Sequence, residues 1–312
     1  MNSTLIDLSV VAPAYNEEEG IKDYVDNLRR VLESLNNLNY EIIVVNDGSN
    51  DKTLEVLLDN QWNQLKVLDL ISNVGHMNAL SAGLAHANGN IVITMDADLQ
   101  HPVDHIPLIL NEFSDSNVDV VQCIRKRDNS EGVTRRIFSE IYYRIMNKMS
   151  DSEININAGE FRGMRKEVVT QLLTLKENPR FLRFLIPYFG YRTKYIEFAA
   201  QQRKKGKSKY SFKQLLKFVA TSIISFSSTP INFMLKFGIF AILLTLVYLI
   251  ALLFDFQKGN FPPGYFSIII MVASFGSLQL ISIGIIGKYV SQILFESRYR
   301  PRFLVRKFYE VD

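Results

Sequence analysis

A single cysteine, Cys123, rules out a disulfide framework and fits a reducing compartment. It lies in the apolar run Val118 to Ile124, where it reads as core packing. An excess of charge of one sign is also missing. The formal net charge is +3 over 312 residues, which argues against a dedicated nucleic-acid binder, so no nucleic acid is expected as a partner. Met1 to Asp7 holds neither a basic n-region nor an apolar stretch, so no cleaved signal peptide is expected. Neither GxGxxG nor GxxxxGK[ST] occurs, so neither a dinucleotide fold nor a P-loop is indicated.

What the sequence does hold is a series of short apolar runs, each emptying into a polar loop. Leu8 to Val11 runs into Pro13-Ala14-Tyr15-Asn16-Glu17-Glu18. Apolar residues at Ile21, Val25, Leu28, Val31, Leu32 and Leu35 then mark a helix from about Glu18 to Leu35. Glu41 to Val45 empties into Asn46-Asp47-Gly48-Ser49-Asn50-Asp51, where Gly48 suits a tight turn and Asp51 suits the cap of a helix through Leu58. A third strand, Leu65 to Ile71, ends at Ser72-Asn73-Val74-Gly75, and a helix from His76 to Ala87 follows. Ile91 to Met95 then runs into Asp96-Ala97-Asp98-Leu99-Gln100, and Val118 to Ile124 supplies another strand. Alternating strand and helix predicts an α/β fold with a mostly parallel sheet and helices on both faces. The polar loops would line one edge, which is the geometry of a nucleotide crevice.

Asp96 and Asp98 stand at i, i+2 where a buried strand ends. Two carboxylates so placed repel unless a cation sits beside them. A hard divalent ion, Mg2+ or Mn2+, bridging to a substrate diphosphate is the natural occupant, and Gln100 offers a further neutral oxygen ligand. The plainer alternative is that Asp96 or Asp98 caps a helix beginning near Pro102.

Hydrophobicity is concentrated near the end of the chain. Phe237 to Phe254 gives 18 residues without a charge and Tyr265 to Gly287 gives 23 more, ten residues further on. Each is long enough to cross a hydrocarbon core of about 30 Å, so two transmembrane helices are expected, at about 234–254 and 265–287. Basic residues flank the pair on both outer sides, from Arg203 to Lys217 and from Lys288 to Lys307, while the connecting loop carries one acid and one base. The positive-inside rule places both termini in the cytoplasm and implies contact with membrane lipids. Phe212 to Phe226 has one apolar helical face and reads either as a helix lying in the interface plane or as one docked on the domain core. Glu131 to Met149 is amphipathic as well, and core packing is its simpler reading. The expected domains are then 1–210, a catalytic domain; 211–230, the interfacial region; 231–290, the hairpin; and 291–312, a basic cytoplasmic tail. A chain cut after about Pro230 is expected to keep a folded nucleotide-binding domain.

Pro13-Ala14-Tyr15-Asn16-Glu17, Asn46-Asp47-Gly48-Ser49 with Asp51 and Thr53, Asn73 and Gly75, and Met95 to Gln100 together resemble glycosyltransferase family 2. Gly159-Glu160-Phe161-Arg162 and Arg203-Lys204-Lys205-Gly206-Lys207-Ser208-Lys209-Tyr210 look like its polyprenyl-phosphate branch, to which dolichol-phosphate mannose synthase and the bacterial undecaprenyl-phosphate glucosyltransferases belong. The resemblance covers essentially the whole chain. It implies a GT-A fold and inverting transfer of a sugar from a nucleotide-sugar donor to a polyprenyl phosphate. By position in those motifs, Pro13, Tyr15, Glu17 and Asp47 would hold base and ribose, and Asp96 would contact nucleotide and sugar. Asp98 and Gln100 would ligate the metal, and Arg203, Ser208 and Lys209 would close over the phosphates. That basic segment also has a plainer reading, as a solvated cluster drawn to anionic lipid. A homo-oligomer is expected. The donor expected first is UDP-glucose, with UDP-N-acetylglucosamine and GDP-mannose open.

A phosphate acceptor has its second pKa at about 6 and arrives largely ionised, so it has little need of a base. Its demand is for cations. Arg125, Arg127 and Arg162 are the candidates, each with an alternative reading as an exposed surface arginine. The branch usually carries Gly-Asp-Phe-Arg. Here the acid is Glu160, one methylene longer, which leaves open whether it acts as a base or positions its neighbours. A processive polysaccharide synthase would share the fold but usually carries Gln-x-x-Arg-Trp, and the one tryptophan here is Trp62. A non-catalytic scaffold would have no use for Asp47, Asp96, Asp98 and Gln100 together.

Overall fold

The computed structural model describes residues 6–60, 62–126, 158–175, 180–199, 264–298 and 300–310, with part of 231–250. The amphipathic stretches 131–149 and 212–226, the loop 255–263, and the site candidates Arg127, Arg203, Ser208 and Lys209 lie outside the described residues. The chain divides into two units, Met1–Lys209 with Arg300–Asp312, and Tyr210–Tyr299.

In the first unit, β1 (Leu8–Ala14), β2 (Tyr40–Asn46), β3 (Leu65–Leu70) and β4 (Ile91–Thr94) form a parallel centre. They join β5 (Val120–Arg125), β6 (Ala158–Arg165), β7 (Thr193–Phe198) and β8 (Val305–Glu310) in one eight-stranded sheet. Its order is β7-β5-β6-β4-β1-β2-β3-β8. Four of the seven neighbouring pairs are parallel (β1–β2, β1–β4, β2–β3, β5–β7) and three are antiparallel. β1 is buried along its whole length and β2 along all but Tyr40, as strands covered on both faces must be.

Helices cover both faces. α1 (Ile21–Glu33) buries Ile21, Tyr24, Val25, Leu28, Val31 and Leu32, a stripe at helical spacing that packs into one continuous core with Val10, Ile42, Ile93, Val121 and Phe161. α4 (Ile106–Glu112) adds Ile106 and Ile109 to that core, and α5 (Lys166–Thr174) buries Val168, Val169 and Leu172. α3 (His76–His86) lies on the opposite face, where Gly83 comes so close that an added Cβ would sit 2.3 Å from Val11 Cγ1. Cys123 is buried in the core, and burial pushes its thiol up to about 12, which makes it unreactive.

Two features of the topology set the site. The chain lays β1, β2 and β3 outward in one direction and then returns to place β4 on the other side of β1. Pairing of β1 with β4 ends at Val11↔Thr94, so the strand order reverses where the Asp96 loop leaves the sheet. β6 runs antiparallel to β4, with Thr94 opposite Arg162, and this carries the beginning of β6 to the same edge.

The stretch read as a basic tail contributes a strand. β8 pairs antiparallel with β3 from Lys66↔Glu310 to Leu70↔Val305. Lys66 Nζ bridges Glu41 at 3.1 Å and Glu310 at 2.9 Å, and Arg306 Nη1 lies 3.4 Å from the buried Asp69 carboxylate. A chain cut after Pro230 would lose this edge strand.

In the second unit, α7 (Tyr265–Ser297) is a helix of 33 residues with exposed apolar side chains such as Ile268, Val272, Leu280, Ile283 and Ile293. The described positions of 231–250 are helical too. Among the described residues no helix is long and apolar enough to cross a membrane, and the side chains of 265–267, 269, 270 and 273 are not among those described. The expected hairpin is therefore not observed as such.

Candidate active site

The loops after β1 and β2 cap each other's backbone. Asn16 N–H donates to Ser49 Oγ at 3.0 Å and Asn50 N–H to Asn16 Oδ1 at 2.8 Å. Glu17 N–H donates to Thr53 Oγ1 at 2.8 Å and Glu18 N–H to Asp51 Oδ2 at 3.2 Å. Asp51 also accepts from Thr53 N–H at 3.0 Å at the start of α2 (Thr53–Leu58), whose cap position is Lys52. Gly48 adopts φ 63°, and a Cβ there would lie 2.6 Å from the Asn73 nitrogen, so the loop after β3 passes directly over it. Within this frame Pro13 is buried at the end of β1 opposite Val45, while Tyr15 and Glu17 are half-buried in the loop that follows.

Asp47 is buried, and both its oxygens are engaged by the loop after β3. Val74 N–H donates to Oδ1 at 2.8 Å and Gly75 N–H to Oδ2 at 3.1 Å. Burial raises its carboxyl above the ordinary value, against the pull of those two amides and of His76. Each oxygen keeps a lone pair for another donor.

At the end of β4, Asp96 lies between two histidines. Its Oδ1 lies 3.3 Å from His76 Nε2 and its Oδ2 lies 3.7 Å from His101 Nε2, while its backbone N–H donates to His101 Nδ1 at 2.9 Å. A neutral imidazole accepting at Nδ1 carries its proton on Nε2, the nitrogen nearer the carboxylate. The His101 ring stacks on Phe161, with centroids 5.0 Å apart and planes at 15°, and meets the edge of Phe198. Leu99 adopts φ 63°, uncommon for a bulky side chain and a mark of a constrained loop. Among the described residues the buried Tyr24 hydroxyl has no hydrogen-bond partner. Burial, and then the charges of Asp96 and Asp98, raise its pKa.

Neither aspartate caps a helix. The 3-10 turn Val103–His105 starts after Pro102 with no side-chain cap bond, so the plainer reading of the pair falls. Instead Gln100 turns back on Asp98, its N–H donating to Oδ1 at 3.1 Å and its Nε2 to Oδ2 at 2.9 Å. Among the described residues no cluster of three His, Cys, Asp or Glu side chains could enclose a metal. An Asp98 carboxylate with a Gln100 carboxamide fits a hard ion that keeps waters and substrate phosphate as its other ligands. Turning the amide over would present its oxygen.

At the start of β6, the two-residue period places Glu160 and Arg162 on one face. Arg162 Nη2 donates to Glu160 Oε2 at 2.8 Å and to Gly159 O at 2.6 Å. Arg183, from α6 (Leu182–Phe189), reaches Glu160 Oε1 at 3.3 Å. Burial alone would raise the Glu160 carboxyl, but Arg162, Arg183 and His76 outweigh it and hold the group below the usual glutamate range. Arg162 is fully buried, not a surface arginine, and its Nε and Nη1 have no partner among the described residues. Arg125 is exposed at the end of β5, on the same sheet edge.

The edge therefore gathers Asp47, Asp96, Asp98, Gln100, Glu160 and Arg162. His76, His101 and Arg183 join them unanticipated. His76 follows Gly75 in the third polar loop and His101 follows Gln100, so position alone could have flagged both. Arg183 sits 23 residues from Glu160 with no motif between them.

A parallel-centred α/β sheet carrying Asp-x-Asp at its switch-point edge defines the GT-A class of nucleotide-sugar transferases. Residues 9–173 match Glycosyl transferase family 2, and the chain belongs to that family and is a glycosyltransferase. Over 303 residues it is 36% identical to the uncharacterized glycosyltransferase sll0501 of Synechocystis sp., covering 96% of this chain and 95% of that one. Over 307 residues it is 32% identical to the bactoprenol glucosyl transferase of Shigella phage SfV, covering 96% and 98%. The fold resembles glucosyl-3-phosphoglycerate synthase of Mycobacterium tuberculosis, solved with Mn2+, UDP-glucose and phosphoglyceric acid. That match has a TM-score of 0.50 and 16% identity over 70% of this chain and 78% of that one.

Proposed function

We propose that this enzyme transfers a hexosyl group, from UDP-glucose before other donors, to the phosphate of a polyprenyl phosphate such as undecaprenyl phosphate. An acceptor phosphate oxygen bonds to the anomeric carbon as the bond to the donor diphosphate breaks, which inverts that carbon and frees the nucleoside diphosphate. The observation that carries this reading is the cluster at Glu160. One carboxylate lies between Arg162 and Arg183, so the three side chains sum to one positive charge beside Asp96 and its histidines. A phosphate dianion is better matched to that cluster than a neutral sugar hydroxyl. The bactoprenol glucosyl transferase of phage SfV, similar over nearly its whole length, supports both glucose and a bactoprenol acceptor.

In this reading Pro13, Tyr15, Glu17 and Asp47 bind base and ribose, and Asp96 orients the sugar. Arg203, Ser208 and Lys209 contact the donor phosphates, and Arg125 and Arg127 attract the acceptor. Asp98 and Gln100 would hold Mg2+ or Mn2+. Such an ion neutralises charge developing on the departing diphosphate. His101 fixes the Asp96 loop, and Glu160 positions arginines rather than taking a proton. The apolar segments 234–254 and 265–287 would anchor the enzyme in the membrane that contains its acceptor, with the catalytic unit on the cytoplasmic side. Incubation with a panel of UDP-glucose, UDP-N-acetylglucosamine and GDP-mannose in the presence of undecaprenyl phosphate tests the reading. Glucosyl phosphoryl lipid should dominate. A product from another sugar would revise the donor, and no lipid product from any of them would remove the function.

A further inference from the structure

We infer that Arg183 is the residue that meets the acceptor phosphate, and that Arg162 serves to hold Glu160 in place. The inference rests on the proposed reading that the acceptor is a lipid phosphate. Both arginines touch the same carboxylate, but their surroundings differ. The Arg162 side chain is 0% exposed and sits on β6 with Thr94 on one side and Gln122 on the other. Its Nη2 is shared between Glu160 and the Gly159 carbonyl. Its remaining donors, Nε and Nη1, are buried, so a phosphate could reach them only if the groups packed over the side chain moved.

Arg183 stands at the second position of α6, outside the sheet, with its side chain 21% exposed. Its contact to Glu160 is 3.3 Å against 2.8 Å for Arg162, the looser of the two. If Arg183 swings toward a phosphate, Glu160 keeps Arg162, so no buried carboxylate is stranded. If Arg162 moved, a buried charge pair would open, and leaving a buried charge unpaired is among the more destabilising changes a core can suffer. The half-buried arginine exchanges partners and the fully buried one does not. Glu160, one methylene longer than the aspartate usual at this place, reaches both at once.

The test measures the KM for undecaprenyl phosphate in detergent micelles at saturating donor, for Arg183→Gln and Arg183→Lys, in the wild-type and Glu160→Gln backgrounds. Losing one hydrogen bond to a charged group predicts an acceptor KM raised about tenfold or more in Arg183→Gln, with donor KM unchanged within about twofold. Arg183→Lys, which keeps the charge and guards against misfolding, should recover most of the loss. The Glu160→Gln background separates contact from support. If Arg183 meets phosphate, Arg183→Gln still raises acceptor KM there. If Arg183 acts only by holding Glu160, its effect vanishes there, and the inference is overturned. An unchanged acceptor KM in either background overturns it as well. Absence of turnover on any polyprenyl phosphate by the wild-type enzyme would bring down the proposed function itself, a distinct result.

Discussion

The Asp96 backbone N–H donates to His101 Nδ1 at 2.9 Å while the other nitrogen of the same ring lies 3.7 Å from the Asp96 carboxylate. One imidazole thus fixes the main chain of the first residue of the Asp-x-Asp pair and stands beside its side chain. Phe161 and Phe198 hold the ring from the core side. His101→Phe keeps the stack and removes the acceptor, leaving the Asp96 N–H unpaired. That change should destabilise the fold by about 1–3 kcal/mol and lower kcat/KM. His101→Asn, whose amide oxygen can stand where Nδ1 stood, should recover part of the activity. Thermal denaturation and steady-state kinetics on the two variants check this. Equal activity in His101→Phe and wild type would remove the histidine from the site.

Glu160 offers a second check, through pH. Arg162, Arg183 and His76 together overcome burial and depress its pKa. A depressed carboxylate contributes stability above its unfolded pKa, about 4.3, and loses that contribution as pH falls through the lower folded value. The melting temperature of Glu160→Gln should therefore lie below wild type at neutral pH, and the gap should close in strongly acidic buffer. Its kcat at saturating acceptor should stay within about tenfold, with an acidic limb at about pH 6 set by the acceptor phosphate. A loss of about 10² to 10⁴ with that limb abolished would restore Glu160 as the base.

The C-terminal strand supplies a third. β8 covers the edge of β3, and Phe308 packs against the His86 ring at 5.3 Å. Deleting residues 300–312 should lower stability by several kcal/mol, given about 1 kcal/mol for each ladder hydrogen bond lost. It should also expose an edge open to aggregation. Urea unfolding and light scattering on the truncated chain measure both. An unchanged unfolding midpoint would show the strand to be ornamental.

The centre of this fold was legible in the sequence because buried parallel strands are written as largely apolar runs. Leu8 to Val11, Glu41 to Val45 and Leu65 to Ile71 fall within a residue or three of the observed strands. The polar loops that follow them were legible too, since a strand end facing ligand cannot stay apolar. β8 was hidden because half of Val305-Arg306-Lys307-Phe308-Tyr309-Glu310 is charged and exposed, as suits an edge strand, and its partner lies more than 200 residues away. β6 was not expected as a strand at all, because Gly159, Glu160, Arg162 and Gly163 interrupt its apolar residues. Arg183 was invisible because an arginine in an apolar helix announces nothing until Glu160 is found beside it.

Metal dependence gives a fourth prediction. Asp98→Asn keeps the shape and an acceptor for Gln100 but removes the charge a divalent ion requires. Activity should fall by about three decades, the scale of a Lewis-acid contribution of several kcal/mol. The melting temperature should stay within a few degrees of wild type. Wild-type enzyme dialysed against EDTA should lose activity in parallel and regain it with Mn2+ or Mg2+. Full activity in EDTA would remove the ion from the mechanism.

The central claim is that the acceptor is a phosphate and not an alcohol. The most direct measurement supplies the enzyme and radiolabelled UDP-glucose with undecaprenyl phosphate in one vessel and undecaprenol in another, and identifies the labelled lipid by mass spectrometry. The arginine cluster at Glu160 predicts labelled glucosyl phosphoryl undecaprenol in the first vessel and no labelled lipid in the second. Equal glucosylation of undecaprenol, with the sugar on the lipid oxygen and no phosphate in the product, would contradict it.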